Sequence, residues 1–137
     1  MKAKYKFYPD DKLLAEAFYG QLSLQDLQRI VQQQALNQNF NSLIRTYSDI
    51  RSAEIVVSLN KLTNYINELK SIMSKKPFRW AIVSNKPNTT ALSMLIKNDE
   101  FFDKKVQIYS TPGSALRFLG VNITPQNILS ADFNIIE

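Results

Sequence analysis

This chain of 137 residues contains no cysteine and no histidine. Without cysteine there is no disulfide, no thiol nucleophile and no thiolate metal ligand. Without histidine it lacks the commonest general base and the commonest metal ligand. Ser-His-Asp catalysis, Cys-His catalysis and ordinary zinc chemistry are therefore excluded. Catalysis would have to use Asp, Glu, Lys, Tyr or an all-oxygen metal site. Glycine is scarce, at three residues, and none falls in Lys86-Pro87-Asn88-Thr89-Thr90, so this loop is not a phosphate loop. No apolar run approaches the roughly 18–20 residues of a membrane span. Met1 to Phe7 alternates charge and bulk, which reads as a strand and not as a signal peptide. The expected location is the cytoplasm.

What is present fits one globular domain. Apolar residues make up 45% of the chain and the net charge is +5. That charge is well below the basic density of a dedicated nucleic-acid binder. Residues 3–8 alternate as a half-exposed strand, Pro9-Asp10-Asp11 turns, and Leu13 to Tyr19 is a second strand ended by Gly20. Lys2, Lys4 and Lys6 read as charges that protect an edge strand from stray pairing. Ser23 and Asp26 form a capping box for a helix with Leu24, Leu27, Ile30 and Val31 as its stripe. Gln32-Gln33-Gln34 faces water or finishes that helix.

Leu43 to Tyr47 is a third strand, and Ala53 to Val57 a separate extended segment. Ser58 caps the longest helix, whose stripe is Leu59, Leu62, Ile66, Leu69 and Met73. Lys75 and Lys76 lie in its last turn, and Pro77 stops it. Phe78 to Ser84 is a nearly continuous apolar strand, as in a sheet covered on both faces. Asn88 or Thr89 caps the next helix. Val106 to Tyr109 is the fifth strand, and Thr111-Pro112 opens a helix that Gly120 closes. Thr124-Pro125 signals a short helix in the tail. The fold class is α/β: a mixed, mainly parallel five-stranded sheet with an N-terminal β-hairpin and about four covering helices. Residues 1–137 form a single domain, with 121–137 as a C-terminal tail.

Loops after parallel strands share the carboxyl edge, where open α/β sheets bind ligands. Here they carry Asp49, Arg51, Asn85, Lys86, Asn88, Thr89, Thr90, Ser110 and Thr111. Two helix starts at this edge favour an anion or a carboxylate. The alternative is local capping, with Asp49 paired to Arg51 or Lys86. At the other edge, Lys75, Lys76, Arg79, Lys104 and Lys105 lie near Phe78 and Trp80. They read as helix-end complementarity and a solvated rim in preference to a nucleic-acid patch. Asp10-Asp11 and Asp99-Glu100 are sequence neighbours that point apart, so neither pair makes a shared site.

Several blocks resemble the STAS superfamily, in its SpoIIAA-like branch of small bacterial proteins. They are Gly20 before Leu22-Ser23-Leu24-Gln25-Asp26-Leu27, then Tyr47-Ser48-Asp49-Ile50-Arg51, then Trp80-Ala81-Ile82-Val83 with Asn88-Thr89-Thr90-Ala91-Leu92. Val106 to Thr111 followed by Ala115-Leu116-Arg117-Phe118-Leu119-Gly120 completes the set. The resemblance implies a non-catalytic protein-interaction or regulatory domain, with no cofactor and no metal. Its expected partner is a protein, a homodimer included, docked near Asp49, Arg51 and residues 85–90. The family's best-known members are switched by phosphorylation of a Ser in an Asp-Ser-Ser-Gly-type turn. The matching residues here, Val56-Val57-Ser58-Leu59, lack the Asp and the Gly, so Ser58 reads as a helix cap. A more distant resemblance to CRAL-TRIO lipid-binding domains implies the alternative: a carrier or sensor of a small apolar or lipid-like ligand, held between sheet and helices.

Overall fold

The computed structural model describes residues 1–73 and 78–137. Its strands are β1 (Ala3–Tyr8), β2 (Leu13–Leu22), β3 (Arg45–Ile55), β4 (Arg79–Val83), β5 (Val106–Tyr109) and β6 (Asn134–Ile136). Its helices are α1 (Leu24–Ala35), α2 (Leu59–Met73), α3 (Pro87–Lys97) and α4 (Pro112–Leu119). One six-stranded sheet runs in the order β5-β4-β3-β2-β1-β6. The pairs from β2 to β5 are parallel, and β1 is antiparallel to both of its neighbours. The expected mixed α/β sheet with a leading hairpin and four helices is present, with one strand more than expected.

From β2 to β5 every crossover steps in the same direction along the sheet. Right-handed crossovers of that kind stack their helices on one face. Accordingly α1, α2 and α3 pack through Leu27, Ile30, Leu62, Leu69 and Ile96 onto Leu14, Phe18, Ile50, Trp80 and Ile82. The other face is covered by α4, through Ala115, Leu116 and Leu119, and by Ile128 and Leu129 of the tail. Trp80, Ala81, Ile82 and Val83 are all buried, as a strand covered on both faces requires.

Several sequence expectations change. β2 does not stop at Gly20; it passes through that residue at φ +71°, a conformation open to glycine, and ends at Leu22. β3 is one strand, not two segments. Ala17 pairs Asp49 but Tyr19 pairs Ser52, so β3 gains one residue between them. The bulge shifts the alternation: Thr46, Ser48 and Ile50 line one face before it, and Ala53 and Ile55 line that face after it. An alternation broken in mid-strand reads as two segments in the sequence.

The tail is the third change. Residues 125–130 form turns in place of a helix, and the chain then returns as β6 against β1, with Ala3 opposite Ile136 and Tyr5 opposite Asn134. Lys4 and Lys6 therefore do not guard a bare edge. Lys4 Nζ donates to Leu129 O at 3.2 Å and Lys6 Nζ to Ala131 O at 3.2 Å, which straps the tail across β1. Lys75, Lys76 and Pro77 lie outside the described residues. Asn88 and Thr89 do not cap α3, which begins at Pro87 with Lys86 as N-cap.

The capping box at α1 is present. Asp26 N–H donates to Ser23 Oγ at 3.2 Å, and Ser23 N–H to Asp26 Oδ2 at 2.9 Å. Ser23→Ala leaves a helix donor without its acceptor, so it is expected to cost about 1 kcal/mol in urea unfolding. An unchanged midpoint would show the cap to be energetically idle.

Candidate functional site

The carboxyl-edge residues do not form one cluster. Asp49 and Arg51 close on each other: Arg51 Nε donates to Asp49 Oδ1 at 3.0 Å and Arg51 Nη2 to Asp49 Oδ2 at 2.7 Å. The Arg51 backbone N–H adds a third bond to Oδ1 at 3.1 Å. Beside them, burial first and the Asp49 charge second push the Tyr47 phenol well above its ordinary pKa. Past β4, the Ser84 hydroxyl bonds Thr89 Oγ1 at 2.7 Å and Thr90 Oγ1 at 2.9 Å. Thr89 is buried there, while Asn85, Lys86 and Asn88 are exposed. Thr111 donates to Ser114 Oγ at 3.2 Å at the start of α4. No hydrogen bond or ion pair joins these three groups among the described residues. Ser58 Oγ accepts from Lys61 N–H at 3.4 Å at the start of α2, the capping position.

Two of the basic residues at the opposite edge, Arg79 and Lys105, hold local aromatic rings. Lys105 sits 4.1 Å from the Phe101 ring centroid and Arg79 5.6 Å from that of Phe118. Trp80 is buried, so it offers no stacking platform.

A different place draws polar groups together. Between the sheet and α1, α2 and α3 lies a cavity of about 570 Å³. Its floor is Leu14, Phe18, Ile50, Trp80 and Ile82; its walls include Leu27, Ile30, Leu62 and Leu69. The most exposed lining residues are Ala35, Asn41, Ser71 and Ile72. All four sit at the C-terminal ends of α1 and α2 or in the short 3-10 turn Phe40–Ser42. The mouth thus faces the amino edge of the parallel strands, opposite to the edge that the sheet rule favours.

One acid stands in this apolar wall. Glu16 is 6% exposed and sits level with Ser48 on β3 and Ile82 on β4. Gln34 Nε2 donates to Glu16 Oε1 at 2.7 Å, and Ser48 Oγ donates to Glu16 Oε2 at 2.5 Å. Trp80 Nε1 in turn donates to Ser48 Oγ at 2.9 Å. An indole N–H can only donate, so the Ser48 hydrogen is turned toward Glu16. Burial pushes the Glu16 carboxyl above its ordinary pKa, and the bonds from Ser48 and Gln34 pull it part of the way back. Tyr65 of α2 also lines the cavity, and its phenol is pushed up by desolvation and then by the charges of Glu16 and Glu68.

Two sequence signals pointed here. Glu16 is the sole acid inside Leu13-Leu14-Ala15-Glu16-Ala17-Phe18, on the same strand face as Leu14 and Phe18. Gln34 follows Leu27 by seven residues and Ile30 by four, which puts it on the buried stripe of α1 and not on the water face expected for the Gln run. It is 1% exposed.

Fold and site together define a SpoIIAA-like α/β domain with a lined interior cavity. The sequence matches no family profile and no curated protein. A solved structure from Shewanella loihica PV-4 is similar in fold. It is an uncharacterised protein of the DUF3478 family with a SpoIIAA-like fold, 19% identical, with a TM-score of 0.55. The match covers 84% of this chain and 90% of that one. No helix among the described residues is long and apolar enough to cross a membrane.

Proposed function

We propose that this chain is a non-catalytic binding domain that holds a small amphipathic ligand in the cavity beneath α1 and α2. The observation that carries the reading is the cavity itself. Its volume of about 570 Å³ falls inside the range of roughly 300–1,000 Å³ typical of small-molecule sites. Its lining also has the usual composition, a mainly apolar wall with a few convergent polar groups. A protein-docking edge is the second reading, favoured by the exposed side chains of Asn85, Lys86 and Asn88. It ranks lower because Asp49 and Arg51 already satisfy each other.

The chain carries its own reporter. Trp80 is the single tryptophan and lines the cavity. Titration with dodecanol, followed by Trp80 emission, is expected to saturate at one molecule per chain. Ile30→Phe extends a ring into the cavity. It is expected to weaken dodecanol at least tenfold while the protein stays folded, since a larger side chain is costly mainly where the core is already packed. Unchanged affinity in a folded Ile30→Phe protein would end the cavity reading. Native mass spectrometry of protein from its own host separates the two readings: a bound small mass supports the cavity, a bound polypeptide the edge.

A further inference from the structure

We propose that Glu16 is the counter-ion for a cationic head group, and that the cavity takes amphiphiles with a protonated amine. The inference rests on the cavity reading and adds the ligand's charge. Every donor around Glu16 is neutral: the Gln34 amide, the Ser48 hydroxyl and, behind it, the Trp80 indole. These three are oriented to support a carboxylate, yet none brings positive charge. A carboxylate offers about four acceptor positions. Gln34 and Ser48 occupy one on each oxygen, which leaves capacity on the side of the cavity.

Among the described residues, the nearby cations are engaged elsewhere. Arg45 Nε donates to Leu119 O at 2.8 Å and Arg45 Nη1 to Asp11 O at 2.6 Å. Arg79 Nη1 donates to Phe118 O at 2.9 Å, on the α4 side of the sheet. Lys70 pairs with Asp99 at 2.7 Å. Among the described residues no ion pair includes Glu16. The route in has the same preference. Helix C-termini carry negative partial charge, and α1 and α2 both end at the mouth. The last turn of α1 has no basic residue to neutralise it, and Lys70 in the last turn of α2 is already paired with Asp99. A buried carboxylate without a cation is costly, and a paired, hydrogen-bonded one far less so. An alkylammonium would supply the missing charge while its chain fills the apolar space. A carboxylate head would meet Glu16 with like charge.

The test is a head-group series at constant chain length: dodecylamine, dodecanol and dodecanoate, each titrated at pH 7 against Trp80 emission. Dodecylamine is expected to bind at least tenfold tighter than dodecanol, with dodecanoate weakest. Glu16→Gln keeps an acceptor for Ser48 without the charge, so the amine preference is expected to vanish. Glu16→Asp is expected to retain it. Equal binding of amine and alcohol overturns the counter-ion role while the cavity reading stands. No saturable binding of any of the three overturns both. An amine preference that survives in folded Glu16→Gln also overturns the role. The wild-type series decides the question even where a variant does not fold.

Discussion

Removing residues 121–137 is expected to abolish cooperative folding. The segment reads as a tail in the sequence, but it buries Ile128, Leu129 and Ile136, which are 4%, 8% and 5% exposed. Ile128 and Leu129 belong to the core under α4, and Ile136 to the core on the cavity side. A fully buried side chain of this size contributes about 1.5–3 kcal/mol, so the three together contribute about 5–9 kcal/mol. Domains of this kind hold about 5–15 kcal/mol in all. The cut would also strip β6 from β1 and leave Leu13 and Ala15, now fully covered, facing water. Tyr8 would lose its bond to Ile128 O at 2.6 Å and Lys4 its bond to Leu129 O. Circular dichroism across a urea gradient checks this. Residues 1–120 are expected to show a shallow, non-cooperative change, and the full chain a single transition. A truncated chain with the full chain's midpoint would refute the clamp. Leu129→Asp in the full chain gives the same test without changing length, and is expected to lower the midpoint sharply.

The contrast between α1 and β6 shows what kind of structure a sequence discloses. Ser23 and Asp26 lie three residues apart, and their reciprocal bonds depend on nothing outside that turn. Such local signals are legible, as were the stripe of α4 and that of α2 from Leu62 onward; Leu59, expected on the same stripe, is exposed because it opens the helix beyond the packed face. Pairing of Asn134–Ile136 with Ala3–Tyr5 is a contact between opposite ends of the chain. Three residues are too short to show a period, and only the assembled sheet gives Ile136 its place. The bulge after Asp49 hid the length of β3 in a similar way, because it moves the cavity-side positions from even to odd numbers. The carboxyl-edge residues stay apart for a physical reason. Parallel sheets usually bind at the carboxyl edge, but here Asp49 and Arg51 neutralise each other. The polar groups that converge are Glu16, Gln34 and Ser48, from three elements. Glu16 was visible as an acid on an apolar strand face. Its partners were not, because what joins them is the packing of α1 against β2 and β3.

The Glu16 carboxyl should also make the protein less stable as pH rises, and the sign follows from burial. Its folded-state pKa lies above the ordinary value of 4.5. Between those two values the folded chain holds a proton that the unfolded chain has released, so stability falls with rising pH. The contribution is whole below pH 4.5 and lost once pH passes the folded value. Across that window the slope approaches about 1.4 kcal/mol per pH unit. Asp26 runs the other way. The Ser23 backbone N–H, chief among its causes, holds that carboxyl below its ordinary 3.8, so its contribution is lost as pH falls through the folded value. Glu16→Gln removes the first slope alone. Urea midpoints at pH 4.5 and pH 8 are expected to separate for the wild type and to converge for the variant, which becomes the more stable protein at pH 8. Equal destabilisation of Glu16→Gln at both pH values would show that Glu16 acts through hydrogen bonds and not through charge. Adding dodecylamine at pH 8 is expected to restore the wild type selectively, because a bound cation stabilises the ionised form that burial disfavours. A strand position that weakens its own domain as pH rises is the kind of local conflict that proteins keep at functional sites. On that argument the proposed ligand role accounts for an acid that its own burial disfavours.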